Sequence, residues 1–256
     1  MCLIAFAHRR HPRYALVLVA NRDEFFDRPT QPADWWPEQP GVLAGQDLRA
    51  GGTWLGVAST GRWAAVTNYR EGTPQDGARS RGQLPLDFIT DRHAPLAYAE
   101  ELEPVADRFG GYNLLVGDLS ELAYQSNRGG RARLLEPGLY TLSNHLLDTP
   151  WPKSEQARFR LQGLLRRDQF SVDEAAQVLA DRTPFDDHLL PFTGVDIDME
   201  RMLSPPFIVS EAYGTRSTTV ILQDYRGHTV FFEQNYLRGE KQGKPRLFQF
   251  DVTAAS

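Results

Sequence analysis

The chain has 256 residues, 24% of them charged, with 28 Lys and Arg against 33 Asp and Glu and a net charge of −5. That balance excludes a protein that tracks phosphates, which needs clustered basic surface; the Arg79/Arg81 and Arg166/Arg167 pairs are interleaved with acids and read as solvated faces. No apolar run nears the ~20 residues that span a bilayer, while 41% hydrophobic residues suffice to bury a sizeable core.

The opening Met1 to Ala7 is apolar, but it is too short for a signal peptide, has no basic segment ahead of it and runs directly into His8-Arg9-Arg10-His11. A cytoplasmic protein is therefore expected, and its one cysteine excludes an internal disulfide framework. Cys2 to Ala7 and Tyr14 to Ala20 are short apolar runs joined by a polar, Pro-containing turn, which predicts a hairpin. Thr53 to Ala58 and Arg62 to Asn68 flank a second turn at Ser59-Thr60-Gly61. Glu71 to Gln83, rich in Gly, Pro, Gln and Arg, reads as a loop.

A helical block runs from Leu84 to Arg108, interrupted near Pro95. Strands resume at Tyr112 to Gly117, Glu121 to Ser126 and Leu139 to Leu142. A second helical block covers Lys153 to Arg167, with Phe159, Leu161, Leu164 and Leu165 as a partial apolar stripe. Ser171-x-x-Glu174 is a capping box for a further helix to about Leu179. The tail is all strand: Phe207 to Ser210, Ser217 to Gln223, Thr229 to Gln234 and Leu247 to Phe250. Hairpin-linked strands with helices gathered in blocks predict an α+β fold of mostly antiparallel sheets. No Gly-rich nucleotide loop appears.

Cys2 is the residue best placed for chemistry. Aminopeptidases remove Met1 when residue 2 is small, leaving a thiol beside a free α-amine. With ordinary values near ~8 for the amine and ~8.5 for the thiol, each is within reach of its reactive form, and the amine can take the thiol proton. The alternative is a small buried residue opening a strand. Asn21-Arg22-Asp23-Glu24 ends the second strand, where an Arg and a carboxylate can stabilise a thiolate and orient an ammonium, or simply form a salt-bridged turn. Asn68 and Asn144 each end an apolar strand; such amides are good oxyanion donors and are also common turn formers. Arg216 opens a strong strand pattern and points either inward or to solvent.

Taken together these residues resemble the NRDE family, also called the transport and Golgi organisation protein 2 family, named after Asn21-Arg22-Asp23-Glu24. Met1-Cys2-Leu3-Ile4, Arg28-Pro29, Gly51 to Gly56, Thr67-Asn68-Tyr69-Arg70, Arg81-Gly82, Tyr112-Asn113-Leu114, Leu142-Ser143-Asn144 and Tyr213-Gly214-Thr215-Arg216 carry the resemblance along nearly the whole chain. That family in turn looks distantly like the cysteine N-terminal-nucleophile hydrolases, such as bile salt hydrolase and penicillin V acylase. The resemblance implies one αββα four-layer sandwich spanning residues 1–256, with Cys2 as nucleophile. It also implies Asn21, Arg22 and Asp23 as supporting groups, Asn68 and Asn144 as oxyanion donors, and Arg216 as a late active-site Arg.

The hydrolases space the motif Arg and Asp three apart, whereas Arg22 and Asp23 are adjacent and in a strand face opposite ways unless a bulge intervenes. The expected reaction is hydrolysis or transfer of an acyl group from an amide or thioester. Glu24, Trp54, Tyr69 and His145 are the expected substrate contacts, with Trp35 and Trp36 as further wall candidates. No cofactor or metal is called for, since no His/Cys/carboxylate spacing suggests zinc. The family link also carries a rival: binding or trafficking of haem or a lipid or acyl-CoA, in which His145 or the Cys2 thiolate would ligate haem. The expected partner is accordingly a small acyl or amide substrate, or haem.

Overall fold

A computed structural model describes residues 2–71 and 77–253. The first hairpin forms as expected: β1 (Cys2–His8) pairs antiparallel with β2 (Tyr14–Phe25). It sits inside a six-stranded antiparallel sheet with β10 (Gly138–Leu142), β11 (Tyr213–Asp224), β12 (His228–Leu237) and β13 (Glu240–Asp251), in the order β10-β1-β2-β11-β12-β13. A seven-stranded sheet runs in chain order from β3 to β9. Its strands are β3 (Thr30–Trp35), β4 (Val42–Asp47), β5 (Leu55–Ala58), β6 (Trp63–Asn68), β7 (Tyr112–Gly117), β8 (Leu122–Ser126) and β9 (Arg133–Leu134). All strand pairs in both sheets are antiparallel.

Strand alternation sorts the side chains into layers. Ile4, Phe6, Leu16 and Leu18 face Leu55, Val57, Trp63, Ala65 and Leu115 across the space between the sheets. The intervening positions, Leu3, Ala5, Val17 and Val19, face outward against α3 (Pro152–Leu165) and α4 (Val172–Ala176), meeting Ala157, Leu161 and Ala175. On the far side α1 (Gln83–Thr90) and α2 (Pro95–Glu101) cover Ala64, Val66 and Leu114 with Leu84, Phe88 and Tyr98. Helix, sheet, sheet, helix is the αββα sandwich. The Ser171/Glu174 capping box is present in full at α4.

Two strands and a helix add to the elements read from the sequence, and one expected strand is corrected. Thr30–Trp35 and Val42–Asp47 are strands that Pro32 and Gly45 concealed. Ile197–Leu203 is a short helix, α5, capped by the Asp196 side chain on the Met199 amide. Phe207 to Ser210 forms only one bridge, Val209 to Gly214, because its amides are spent elsewhere. Phe207 N–H donates to the Asp181 carbonyl and Ile208 N–H to Thr215 Oγ1. The loop expected over Glu71 to Gln83 lies partly outside the described residues.

Candidate functional site

The two sheets are stitched at one end, and Cys2 lies at that seam. Ser143, just past β10, donates its hydroxyl to the Cys2 carbonyl at 3.2 Å, and Thr67 at the end of β6 donates to the Ser143 carbonyl at 2.8 Å. Asn144 Nδ2 donates to both the Asn68 carbonyl (3.1 Å) and Asn68 Oδ1 (2.8 Å), while its own carbonyl accepts from Arg70 N–H at 2.7 Å. Residues ending strands in two different sheets thus hold each other beside the first strand. With Oδ1 occupied by Asn144, the amide edge Asn68 has left for a ligand is its NH2.

Cys2 is half-buried and opens on a cavity of about 500 Å³ lined by Arg22, Asp23, Glu24, Trp54 and Asn68, among others. Cys2 and Arg22 are direct cross-strand partners, so their side chains share a face. Both carry the parity of Ile4 and Phe6, the side between the sheets. Arg22 is 5% exposed; its guanidinium lies 4.2 Å over the Trp54 ring and reaches Thr30 Oγ1 at 3.4 Å. Gly45 makes this stack possible, because a Cβ there would come within 2.3 Å of the Trp54 ring.

Asp23 has the opposite parity and turns toward the helical layer. There it accepts from Thr215 Oγ1 at 2.7 Å, and Thr215 Oγ1 in turn accepts from Ile208 N–H. The adjacency of Arg22 and Asp23 therefore resolves into two sides of one strand. The β-bulge falls across from them on β11, at Arg216.

Behind Asp23 lies a buried charged cluster. Arg70 pairs with Glu200 at 3.0 Å, both nearly inaccessible. Lys153, at the start of α3, donates to the Leu203 carbonyl at 3.0 Å, and Trp151 lies beside both cations. Burial pushes the Cys2 thiol above its usual range and the Asp23 charge pushes the same way, while the chain's α-ammonium, Arg22 and the Asp23 backbone N–H oppose. Burial also raises the Asp23 carboxyl, against the chain's α-ammonium first and then Lys153, Thr215 and Arg70. Lys153 itself is pushed down to about 8 by burial.

A second cavity of about 710 Å³ adjoins the first and shares Glu24, Arg28, Arg49, Asn68 and Arg81 with it. Its remaining lining includes Phe25, Tyr69, Val195, Met199, Met202, Leu203 and Tyr213. The site is a cleft with a polar compartment at Cys2 and an apolar chamber roofed by α5. Arg28 stands at the shared wall, bound to Asp47 at 2.6 Å.

Several residues expected at the site are elsewhere. Asn21 is fully enclosed, its amide donating to the Leu179 and Pro206 carbonyls and accepting from Thr218 Oγ1, so it anchors loops and does not reach the cavity. Arg216 donates to the Phe25 and Arg28 carbonyls and clamps that turn on the far side of the Arg22–Trp54 stack. Asn144 touches Asn68 and lines neither cavity. His145 packs between Tyr69 and Trp151, bonds Thr149 and also lines neither cavity. Trp35 packs on Phe248 and Phe250, and Trp36 Nε1 donates to the Ala44 carbonyl, so of the tryptophan candidates Trp54 is the one that walls the cleft. Lys153, Glu200 and the Met199/Met202 pair escaped the sequence reading, and Arg70 entered it only as the end of the Thr67-to-Arg70 stretch, with no role. Nothing in their local pattern separates them from surface charge and ordinary apolar filling.

Two antiparallel sheets between helical layers define the fold of the N-terminal-nucleophile hydrolases. Among solved structures, the C2A mutant of conjugated bile acid hydrolase from Clostridium perfringens matches with a TM-score of 0.52 at 9% identity, over 99% of this chain and 98% of that one. The Caenorhabditis elegans orthologue of N-acylethanolamine-hydrolyzing acid amidase matches with a TM-score of 0.51 at 13% identity, over 86% and 92%. At such identities the likeness is one of fold.

The chain itself belongs to the Transport and Golgi organisation 2 family, whose model matches residues 1–238. The Transport and Golgi organization protein 2 homolog of Bos taurus is 35% identical over 258 residues, covering 93% of this chain and 94% of that protein. The Homo sapiens homolog is 34% identical over 274 residues, covering 98% and 99%.

Proposed function

We propose that the chain works as one domain and is an amidohydrolase or acyltransferase whose nucleophile is Cys2, acting on an acyl group held in amide or thioester linkage. The observation that carries this reading is the divided cleft. A thiol lies beside a guanidinium and an asparagine NH2 in a polar compartment, and Asn68 also borders the apolar chamber. A carbonyl attacked at Cys2 would put its leaving group in the polar compartment and its acyl chain against Tyr69, Met199 and Met202. Asn68 Nδ2 is suited to donate to the developing oxyanion, with Asn144 fixing its orientation.

The Cys2 α-amine becomes the general base once Met1 is removed; that processing step lies outside the described residues. A non-catalytic reading, a carrier of a lipid or acyl-CoA, is supported by the apolar lining of the chamber. Haem ligation through His145 finds no support, because that ring is packed between aromatics away from both cavities.

The test uses protein trimmed to begin at Cys2 and an acyl thioester or acyl anilide of medium chain length. Intact mass should show an acyl adduct on wild type and none on Cys2→Ala, and Asn68→Ala should slow turnover by roughly 10²–10³-fold. A trimmed thiol no more reactive than free cysteine overturns the enzyme reading and leaves the carrier.

A further inference from the structure

The chain has three lysines. Lys241 and Lys244 are exposed on β13, an edge strand, where charge is ordinary. Lys153 is 3% exposed. Removing an ammonium from water costs several kcal/mol unless its charge is answered nearby, yet Lys153 Nζ has one hydrogen-bond acceptor, the neutral Leu203 carbonyl. Among the described residues no carboxylate lies within ion-pair distance of it, whereas Arg70, another buried cation there, is already matched by Glu200. Glu200 is further held by Thr193, so its charge is spent locally.

α3 packs across β1 and β10, which sets its first turn behind the Cys2 end of the sheet. Asp23 leaves β2 on that same face. The charged and titratable groups around Asp23 are the chain's α-ammonium and Cys2 from β1, Arg22 and Glu24 from β2, Arg70 after β6, Lys153 from α3 and Tyr213 from β11. Glu200 from α5 lies one step further out, against Arg70 and Lys153. Of the cations in this set, Arg22 faces the space between the sheets and Arg70 is matched by Glu200, which leaves Lys153 to answer Asp23 together with the α-ammonium.

We propose that Lys153 is a positioning residue of the Cys2 site, a buried cation that balances the Asp23 carboxylate from behind and keeps it ionised beside the thiol. The inference rests on Cys2 being the reactive group of the proposed function, but it concerns charge and needs no turnover to be seen. Without that cation the Asp23 carboxyl, already raised by burial, rises further and is left with the α-ammonium as its main counter-charge. An ionised Asp23 can hold an adjacent ammonium in place; a protonated one cannot.

The experiment is the pH profile of Cys2 alkylation by iodoacetamide in the full chain, read by mass. It compares wild type with Lys153→Met, Lys153→Arg, Asp23→Asn and the Asp23→Asn/Lys153→Met double variant. Lys153→Arg should follow one titration step, and wild type should add to it at most an inflection near pH 8, where Lys153 itself titrates. Lys153→Met should gain an inflection below that of the thiol, where Asp23 now titrates, and the double variant should lose it. A single step in folded Lys153→Met overturns the proposal.

Denaturant unfolding of the same four-member cycle reads the coupling directly. Lys153→Met should cost at least roughly tenfold less in folding equilibrium when Asp23 is already Asn. Additive costs overturn the proposal. Lys153→Gln takes the place of Lys153→Met if the latter does not fold. The unfolding cycle stands even if Cys2 proves inert, an outcome that would fail the proposed function alone.

Discussion

At the residue scale the thiol is held by opposing charges one strand position apart. Burial raises its pKa, Asp23 adds to the rise and Arg22 opposes it. Removing the carboxylate should therefore lower the pH at which Cys2 ionises, and removing the guanidinium should raise it. In full-length chain, Asp23→Asn should alkylate faster than wild type at pH ~8, and Arg22→Gln more slowly. A reversed order would mean that the Asp23 and Arg22 charges do not act on the thiol from their two sides of β2. Cys2 itself was legible from its position at the start of an apolar run. The opposite facing of Arg22 and Asp23 follows from period-two geometry, but which of them shares the cysteine's face depends on the β1–β2 register, and register is a property of the paired strands.

At the element scale α5 decides the shape of the cleft. It is short, and α-helical turns of this length do not hold themselves in water; its anchor is the Arg70–Glu200 pair at 3.0 Å together with Leu203 packing on Ile208 and Tyr213. Breaking a buried pair by removing one partner leaves an unanswered charge. Arg70→Met should thus cost about 3–5 kcal/mol in denaturant unfolding, and replacing both members by apolar residues should recover most of that. Equal costs for the single and the double variant would show that the pair holds no net charge balance at α5. Arg70 lies in a stretch that carries the family resemblance, but nothing in the sequence pairs it with Glu200, 130 positions away and looking like ordinary surface charge. The α4 capping box, by contrast, is a local motif whose two hydrogen bonds close within one turn, and it was readable as such.

At the scale of the whole molecule the two sheets share one apolar interior, and the ends of their strands meet at Cys2. The pH dependence of stability has an identifiable contributor at the opposite end of β1. Burial, aided by Arg9, drives His8 down to about 4 from its ordinary 6.5. The unfolded chain then binds a proton that the folded one refuses, so stability is full above pH ~6.5 and declines as pH falls toward 4. His8→Gln should flatten that part of the melting-temperature profile; an unchanged slope would assign the acid sensitivity to other groups.

The sequence by itself determined the alternation that sorts each strand into an inner and an outer face, the two helical blocks and the hairpins. All of these depend on neighbours within a few residues, and local sterics and hydrophobic period suffice to specify them. It also carried, spread over most of its length, the resemblance that marks the family. The tertiary structure alone decided the composition of the site. Asn144 holds Asn68 because β10 and β6 end at the same seam, and Arg216 turns away because a bulge at that point spends its guanidinium on the carbonyls of the next turn. Lys153 stands behind Asp23 because α3 crosses β1. Such placements arise from pairings between distant segments, where the energy lies in charge balance and buried hydrogen bonds, and no single stretch of chain records them.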